Sequence, residues 1–215
     1  MNNADRQKNV ILIGGGGHAS VIADILKQQH RDIKAIVSTV DVSSRRIFDG
    51  IDVLSHDDDI AKFDPKKVSL VNCIGVLPGS GIKKTVNEKY LAKGYVFETV
   101  VADGAYVSPY AVLAPGVQVF TGAVIQAGAV IGSHTVINTG AIIEHDSRIG
   151  SYNFVAPRAV ICGQCETEDD VFVGVNATII QNIRLGKGTV VTAGALVTRH
   201  TLPEQKVYAQ RSVLR

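Results

Sequence analysis

The second half of the chain repeats its apolar positions every six residues. From Val107 to Val197, fifteen of sixteen such positions are aliphatic, and Thr167 is the exception. The residue four places later is Ala, Ser, Thr or Cys in twelve of the sixteen hexads. A six-residue period fits neither the 3.6-residue repeat of an α-helix nor a heptad, and it is typical of a parallel β-helix with three hexads per coil. Because the register continues after Thr167, we expect this residue to lie within a coil and not at a domain boundary.

The first hundred residues alternate between short apolar runs and helical patterns. NVILI (9–13) predicts a strand, the glycine-rich GGGGH (14–18) a turn, and ASVIADILKQQ (19–29) a helix. This order opens a Rossmann-like unit, in which the N-terminus of the helix is suited to binding phosphate. Four strands and two helices are expected in all, the others being strands at 33–37, 68–74 and 95–101 and a helix from about 81 to 93. Four strands are too few for a complete dinucleotide fold, so the pattern disfavours NAD-dependent hydride transfer.

Charge and hydropathy exclude two classes of partner. The 22 basic and 20 acidic residues are spread along the chain, so no basic stripe indicates nucleic acid. The apolar runs are far shorter than the ~20 residues of a membrane helix. The polar start, MNNADRQKN, lacks the apolar core of a signal peptide, and we expect a cytoplasmic protein without a membrane segment. SHDDD (55–59) and KFDPKK (62–67) predict solvated loops.

Three cysteines carry no clear chemistry. Cys162 and Cys165 have the CxxC spacing of a redox motif or half a zinc site. A zinc site needs four ligands at fixed spacing, and the sequence has no second CxxC or HxxxH. We interpret both thiols as structural and expect no metal.

The strongest candidate for chemistry is the EHD triplet inside NTGAIIEHDSRIG (138–150). Because Ile143 points into the prism, His145 points outward at the corner that follows it. A histidine has an ordinary pKa of about 6.5 and is a suitable general base at neutral pH. One coil contains eighteen residues, so Gly163 is expected directly above His145, where its N–H would face an oxyanion. The alternative is that His145 is a solvent-facing corner residue without a catalytic role.

Together, GGGGH and NTGAIIEHD resemble the PglD/NeuD family of sugar acetyltransferases over most of the chain. The resemblance implies an α/β, Rossmann-like N-terminal domain (1–100), a left-handed parallel β-helix (101–201) and a C-terminal tail (202–215). It implies a homotrimer with active sites between neighbouring β-helices. It also implies acetyl-CoA-dependent acetylation of the 4-amino group of a nucleotide-linked, UDP-type, 4-amino-4,6-dideoxy sugar.

The resemblance also implies roles for particular residues. His145 matches the family's general base, and Asp146 matches its acidic neighbour. The turn that holds the nucleotide sugar corresponds to Gly16, Gly17 and His18, and Gly75 lines the same pocket. Backbone groups that meet acetyl-CoA correspond to Gly163, Val175 and Ala193.

Three departures from the family pattern affect substrate contacts but leave the base unchanged. Ser38 and Thr39 replace an acidic pair that meets the nucleotide in many members, so we place them in the substrate site. Phe154 replaces a second histidine near the thioester, so we place it in the coenzyme site. YAQRS replaces the usual GxPA near the C-terminus.

Two other functions fit the same residues. An O-acetyltransferase acting on sialic acid or another sugar hydroxyl needs the same base as an N-acetyltransferase. A non-catalytic scaffold that binds a nucleotide sugar needs no base, and the His145–Asp146 pair disfavours it.

Overall fold

The computed structural model describes residues 9–210, so the predicted polar N-terminus and the last residues of the predicted tail lie outside the described residues. The chain divides into two compact units, one ending at Val100 and the other beginning at Val101. Within 9–210, no helix combines the length and the apolar character that crossing a membrane requires.

The first unit is a parallel sheet with helices. Its strands have the order β3-β2-β1-β4 and are β1 (Asn9–Ile13), β2 (Ile33–Val37), β3 (Asp52–Leu54) and β4 (Val68–Asn72). The helices are α1 (Gly17–Gln28) and α2 (Ile82–Ala92), with 3-10 turns at Arg46–Phe48 and Asp57–Lys62. All residues of β4 and four of the five in β1 are buried, as expected for the central strands of a parallel sheet.

The fourth strand is not the one that the sequence predicts. Residues 95–101 contribute only an isolated bridge between Leu70 and Phe97, and Val100–Val101 forms β5 with the second unit's strands. Tyr95 and Phe97 are buried in the core, so packing accounts for the aromatic residues of this stretch. The sheet's actual fourth strand, β3, pairs with β2 at an edge and buries only Leu54. SHDDD and KFDPKK also contain more structure than predicted, because Asp57–Lys62 forms a 3-10 helix.

The second unit is the predicted parallel β-helix of two-residue strands. The first face contains β5 (Val100–Val101), β8 (Gln118–Val119), β11 (Val136–Ile137), β14 (Phe154–Val155), β17 (Phe172–Val173), β20 (Val190–Val191) and β22 (Lys206–Val207). The second face contains β6 (Tyr106–Val107), β9 (Val124–Ile125), β12 (Ile142–Ile143), β15 (Val160–Ile161), β18 (Thr178–Ile179) and β21 (Leu196–Val197). The third face contains β7 (Val112–Leu113), β10 (Val130–Ile131), β13 (Arg148–Ile149), β16 (Glu166–Thr167) and β19 (Arg184–Leu185).

The six-residue period corresponds to the strands throughout. Each of the sixteen positions from Val107 to Val197 is the second residue of a strand, and these side chains, with the small residues four places later, form the prism core. Thr167 keeps the register, since β16 pairs with both β13 and β19. Its hydroxyl is satisfied inside the prism, where it accepts hydrogen bonds from the Gly150 N–H (3.1 Å) and from the Asn153 amide. The break in the repeat is therefore a buried polar contact.

Residues predicted as a tail add to the β-helix. Strand β22 (Lys206–Val207) pairs with β20, so this part of the predicted tail belongs to the first face.

Candidate functional site

A cavity of about 360 Å³ lies at the carboxyl ends of the strands in the α/β unit. Strand β1 has β2 on one side and β4 on the other, so the cavity lies where the strand order reverses, the usual ligand position in open α/β sheets. The structure brings together all six residues predicted for the substrate: the cavity is lined by Gly16, Gly17, His18, Ser38, Thr39 and Gly75.

The glycines of the turn between β1 and α1 differ in how much space surrounds them. Gly14 has a φ of 107° and lies against the backbone of Cys73, so a side chain there is strained and crowded. Gly15 packs against Ser38 and Val42, which occupy the space of a Cβ atom. Gly16 and Gly17 have no atom within 4 Å of such a position, and this leaves room for a ligand to approach the backbone.

The two polar residues after β2 are not equivalent. Ser38 is 6% exposed, and its hydroxyl donates to the Val40 carbonyl at 2.9 Å. This hydroxyl therefore stabilises the loop in which Ser38 itself lies. Thr39 is exposed at the cavity and is the residue of the pair that is open to a ligand.

One cavity residue was missed at the level of sequence. Asp57 lines the cavity, although its segment was predicted to be a solvated loop. Its carboxylate pairs with the Lys89 ammonium at 2.9 Å. The feature that could have identified Asp57 is the short strand β3, because its carboxyl end brings the following turn to the ligand edge of the sheet.

The second group of candidates lies on the β-helix, at the edge between the second and third faces (the second–third edge, residues 126–129, 144–147, 162–165 and 180–183). Asp146 has a φ of 59°, and Asp is among the residues that tolerate this left-handed backbone. Its carboxylate Oδ2 lies 2.9 Å from His145 Nδ1. This contact favours the tautomer with the proton on Nδ1 and leaves Nε2 free as a base. Both side chains are exposed, at 59% and 60%.

A glycine in an adjacent coil lies against each member of this pair. A Cβ on Gly163 would lie 2.6 Å from His145 Nε2, so the imidazole rests directly on the Gly163 backbone. The predicted stacking of Gly163 one coil from His145 is therefore present. On the other side, the Asp146 carboxylate occupies the space of a Cβ on Gly128. Gly128 was missed at the level of sequence.

The Gly163 N–H is an available donor. Around it, Cys162 N–H donates to the Ile179 carbonyl and Gln164 N–H to the His145 carbonyl. Across residues 9–210, the Gly163 N–H itself has no hydrogen-bond acceptor. A donor beside the imidazole is therefore open to an external oxygen atom.

The remaining coenzyme candidates lie elsewhere on the prism. Val175 and Ala193 are one coil apart on the edge between the first and second faces, where Gly194 N–H donates to the Val175 carbonyl at 2.8 Å. Phe154 lies on the outside of the first face and stacks on Phe172, with ring centroids 5.3 Å apart. Within one chain, the structure does not bring these three residues to the His145 corner.

The cysteines do not form a metal cluster. Cys73, Cys162 and Cys165 are free thiols. Burial raises the pKa of the Cys73 thiol to about 12 and also raises the pKa of Cys165. Throughout the described part of the chain, no group of three or more His, Cys, Asp or Glu residues is placed to hold a metal ion.

Comparison with known proteins identifies relatives of both units. Residues 9–77 match the PglD N-terminal domain, and residues 167–199 match the hexapeptide repeat of succinyl-transferase. The crystal structure of PerB from Caulobacter crescentus, in complex with CoA and GDP-perosamine, is 30% identical over 91% of each chain, with a TM-score of 0.80. The acetyltransferase domain of PglB from Neisseria gonorrhoeae shares the fold, with 23% identity over 93% of this chain and 95% of that one and a TM-score of 0.82.

A curated relative matches only a short segment. The 2,3,4,5-tetrahydropyridine-2,6-dicarboxylate N-acetyltransferase of Staphylococcus aureus is 56% identical over 32 residues, which are 15% of this chain and 13% of that protein.

The comparisons confirm the predicted fold class, an α/β domain followed by a left-handed β-helix of hexapeptide repeats. The chain belongs to the family of sugar acetyltransferases that join a PglD N-terminal domain to a hexapeptide-repeat β-helix.

Proposed function

We propose that this protein transfers the acetyl group of acetyl-CoA to the 4-amino group of a UDP-linked 4-amino-4,6-dideoxy sugar. The observation that carries the proposal is the His145–Asp146 pair, with its imidazole against the Gly163 backbone. The complex of PerB with CoA and GDP-perosamine supports acetyl-CoA as co-substrate and a nucleotide sugar as acceptor. Such a product serves bacterial surface glycan or glycoprotein synthesis, as in bacillosamine-type pathways, and both substrates are cytoplasmic metabolites.

The proposed reaction is a direct transfer. The neutral amine attacks the thioester carbonyl while His145 Nε2 accepts the amine proton, so that a C–N bond and an oxyanion form. The Gly163 N–H donates a hydrogen bond to this oxyanion. Collapse of the intermediate breaks the C–S bond, and the imidazolium returns its proton to the CoA sulfur. Asp146 holds the ring tautomer and stabilises the imidazolium.

The α/β cavity is the proposed site of the nucleotide sugar. Gly16 is the N-cap of α1 and has no side-chain hydrogen bond, and the first turn of α1 has no acidic residue. The N-terminal N–H groups and the dipole of this helix end favour a phosphate. Gly17, His18, Thr39 and Gly75 complete the proposed contacts, while Ser38 shapes the loop.

The proposed coenzyme site requires more than one copy of the chain. Gly163 lies on one prism edge, whereas Val175 and Ala193 lie on another and Phe154 lies on the first face. A coenzyme in a groove between two β-helices contacts both edges at once. The second face ends at the His145 corner. Most of its outward residues are apolar and supply a surface for a neighbour: Val124, Ile142, Val160 and Leu196, with Thr178 between the last two. We therefore propose a homotrimer with active sites between neighbouring β-helices.

The direct test is release of CoA thiol from acetyl-CoA with a panel of acceptors. The panel contains UDP- and GDP-linked 4-amino-4,6-dideoxy sugars, together with sialic acid and other hydroxyl acceptors. We expect turnover with the UDP-linked amine. Preference for the GDP sugar would correct the nucleotide, and turnover only with hydroxyl acceptors would establish the O-acetyltransferase alternative. If no acceptor releases thiol, the binding scaffold is the better description.

His145→Ala tests the base. We expect turnover to fall roughly 10²- to 10⁴-fold, the range of general base catalysis, while acetyl-CoA binding and the trimer measured by light scattering stay unchanged. Ser133→Ala is the matched control, because Ser133 occupies the same place in a corner on a different edge. Retained activity in His145→Ala would exclude His145 as the base.

A further inference from the structure

Lys83 is a buried cation without a partner. It is 6% exposed, at the start of α2, and its ammonium has no hydrogen-bond partner among residues 9–210. Burial lowers the pKa of Lys83 to about 8, so the group is still mainly protonated at neutral pH. A buried charge without a counter-ion is costly and is usually compensated by pairing. The position therefore favours an anionic partner beyond the residues that the structure describes.

Two neighbours of Lys83 line the proposed nucleotide-sugar cavity. Val86, which follows Lys83 by one helical turn on the same side of α2, lines that cavity. Cys73 also lines it and is close enough to interact electrostatically with Lys83. The Asn72 amide donates to the Lys83 carbonyl at 3.2 Å and to Asn87 Oδ1 at 2.7 Å, which fixes the start of α2 against β4.

The N-terminus of α2 also favours negative charge. Lys83 lies in the first turn of α2, where the helix dipole disfavours a cation and favours an anion. This turn contains no acidic residue, and its N-cap, Gly81, makes no side-chain hydrogen bond. The carboxylate in the cavity wall, Asp57, is already paired with Lys89. The orphaned ammonium therefore lies in a helix turn that itself favours an anion.

We propose that Lys83 binds a phosphate oxygen of the diphosphate in the nucleotide sugar. The inference rests on the proposed function, which assigns this cavity to the nucleotide sugar. In the complex, the ammonium donates to the phosphate, and the phosphate supplies the missing counter-charge.

Calorimetric binding of UDP and uridine to the intact protein tests the proposal. Lys83→Met removes the charge and keeps the apolar length of the side chain, and Lys84→Met is the matched control on an exposed neighbouring residue. We expect Lys83→Met to weaken UDP binding roughly 10- to 100-fold, because a hydrogen bond to a charged group is lost. Uridine binding to Lys83→Met and UDP binding to Lys84→Met should match wild type. UDP affinity that is equal in Lys83→Met and wild type would overturn the inference and leave the proposed function intact.

Two further measurements separate the possible failures. If wild type binds neither UDP nor GDP, the nucleotide-sugar assignment fails. Inorganic pyrophosphate then decides whether Lys83 forms an anion site: binding that Lys83→Met abolishes supports one, and no binding or equal binding overturns it. If Lys83→Met does not fold, wild type provides the test, because its UDP affinity should fall as pH rises through about 8. His18, Asp57 and Cys73 face the same cavity, and Cys73 titrates only near pH 12. A flat affinity from pH 7 to 9.5 would refute the role of Lys83.

Discussion

Gly163 has no side chain, and the imidazole of His145 occupies the space in which its Cβ atom would lie. An alanine at this position places a carbon 2.6 Å from Nε2 and 2.7 Å from Cε1 of His145. The backbone of Gly163 does not have a positive φ, so alanine introduces no conformational strain of its own. The substitution Gly163→Ala therefore acts through its contact with the imidazole.

The size of the effect follows from this contact. An ordinary contact is 3.4 Å or longer, so the ring must move by about 0.8 Å. The imidazole is 59% exposed, so it can swing outward at little cost to the fold. A misplacement of about 1 Å in a reacting group can reduce a rate about 10²-fold. We expect kcat to fall roughly 10²-fold, with a change in the free energy of unfolding below about 1 kcal/mol.

The assay is thiol release at saturating acetyl-CoA, combined with a double-mutant cycle. Gly163→Ala keeps the backbone N–H, so the proposed oxyanion donor is retained and only the position of the ring changes. In a His145→Ala background, the same substitution should cause no further loss, because the ring that it displaces is absent. A kcat within about twofold of wild type in the single variant, or an equal loss in both backgrounds, would refute the reasoning.

Three other substitutions test separate features. Asp146→Asn suits the left-handed backbone and removes the charge, so kcat should fall roughly 10²- to 10⁴-fold at an unchanged Tm; retained kcat would contradict the role of the carboxylate. Thr167→Val restores the aliphatic repeat but leaves the buried Asn153 amide without its acceptor. The free energy of unfolding, measured by urea denaturation, should therefore fall by about 1–3 kcal/mol, and an increase would contradict the role of this hydrogen bond. For Lys83, the pKa is 10.5 unfolded and about 8 folded, so the unfolded state binds more protons between these values. The stability of wild type relative to Lys83→Met should therefore rise by about 3 kcal/mol from pH 8 to 10.5, and parallel curves would exclude this.

The β-helix was predictable to single residues because its pattern is local and repeats. Each inward position fixes the strand, the corner and the outward residue of its own hexad, so Ile143 determines where His145 points. Thr167 did not disturb this reasoning, because one polar residue leaves the spacing of the neighbouring hexads unchanged. Its partner, Asn153, was not predictable from the period, since the contact joins a corner residue of one coil to a strand residue of the next.

The α/β unit was less predictable because its contacts are not periodic. Residues 95–101 have the composition of a strand, yet Phe97 packs into the core and forms only one bridge. The true fourth strand, Asp52–Leu54, has one buried residue and is recognisable mainly by its place beside β2. The burial of Lys83 was not predictable for a related reason. Lysine normally occupies an exposed helix position, and here it lies on the buried side of α2 together with Asn87 and Tyr90.

The site on the β-helix contains one residue that the sequence could have identified. The eighteen-residue coil places Gly163 against His145, and the same step in the opposite direction from Asp146 leads to Gly128. The structure has glycine at both places, with the imidazole resting on one and the carboxylate on the other. A side chain at either place would displace one member of the pair. Gly128 also has a φ of 76°, and glycine recurs at the equivalent position of other corners, whereas the position of Gly163 has no positive φ and elsewhere carries residues such as Ala127, Ser133 and Pro157. In a coil of fixed length, a glycine such as Gly163, which no positive φ requires, is thus evidence about how the residue one coil away is held. No comparable spacing relates the residues around the α/β cavity.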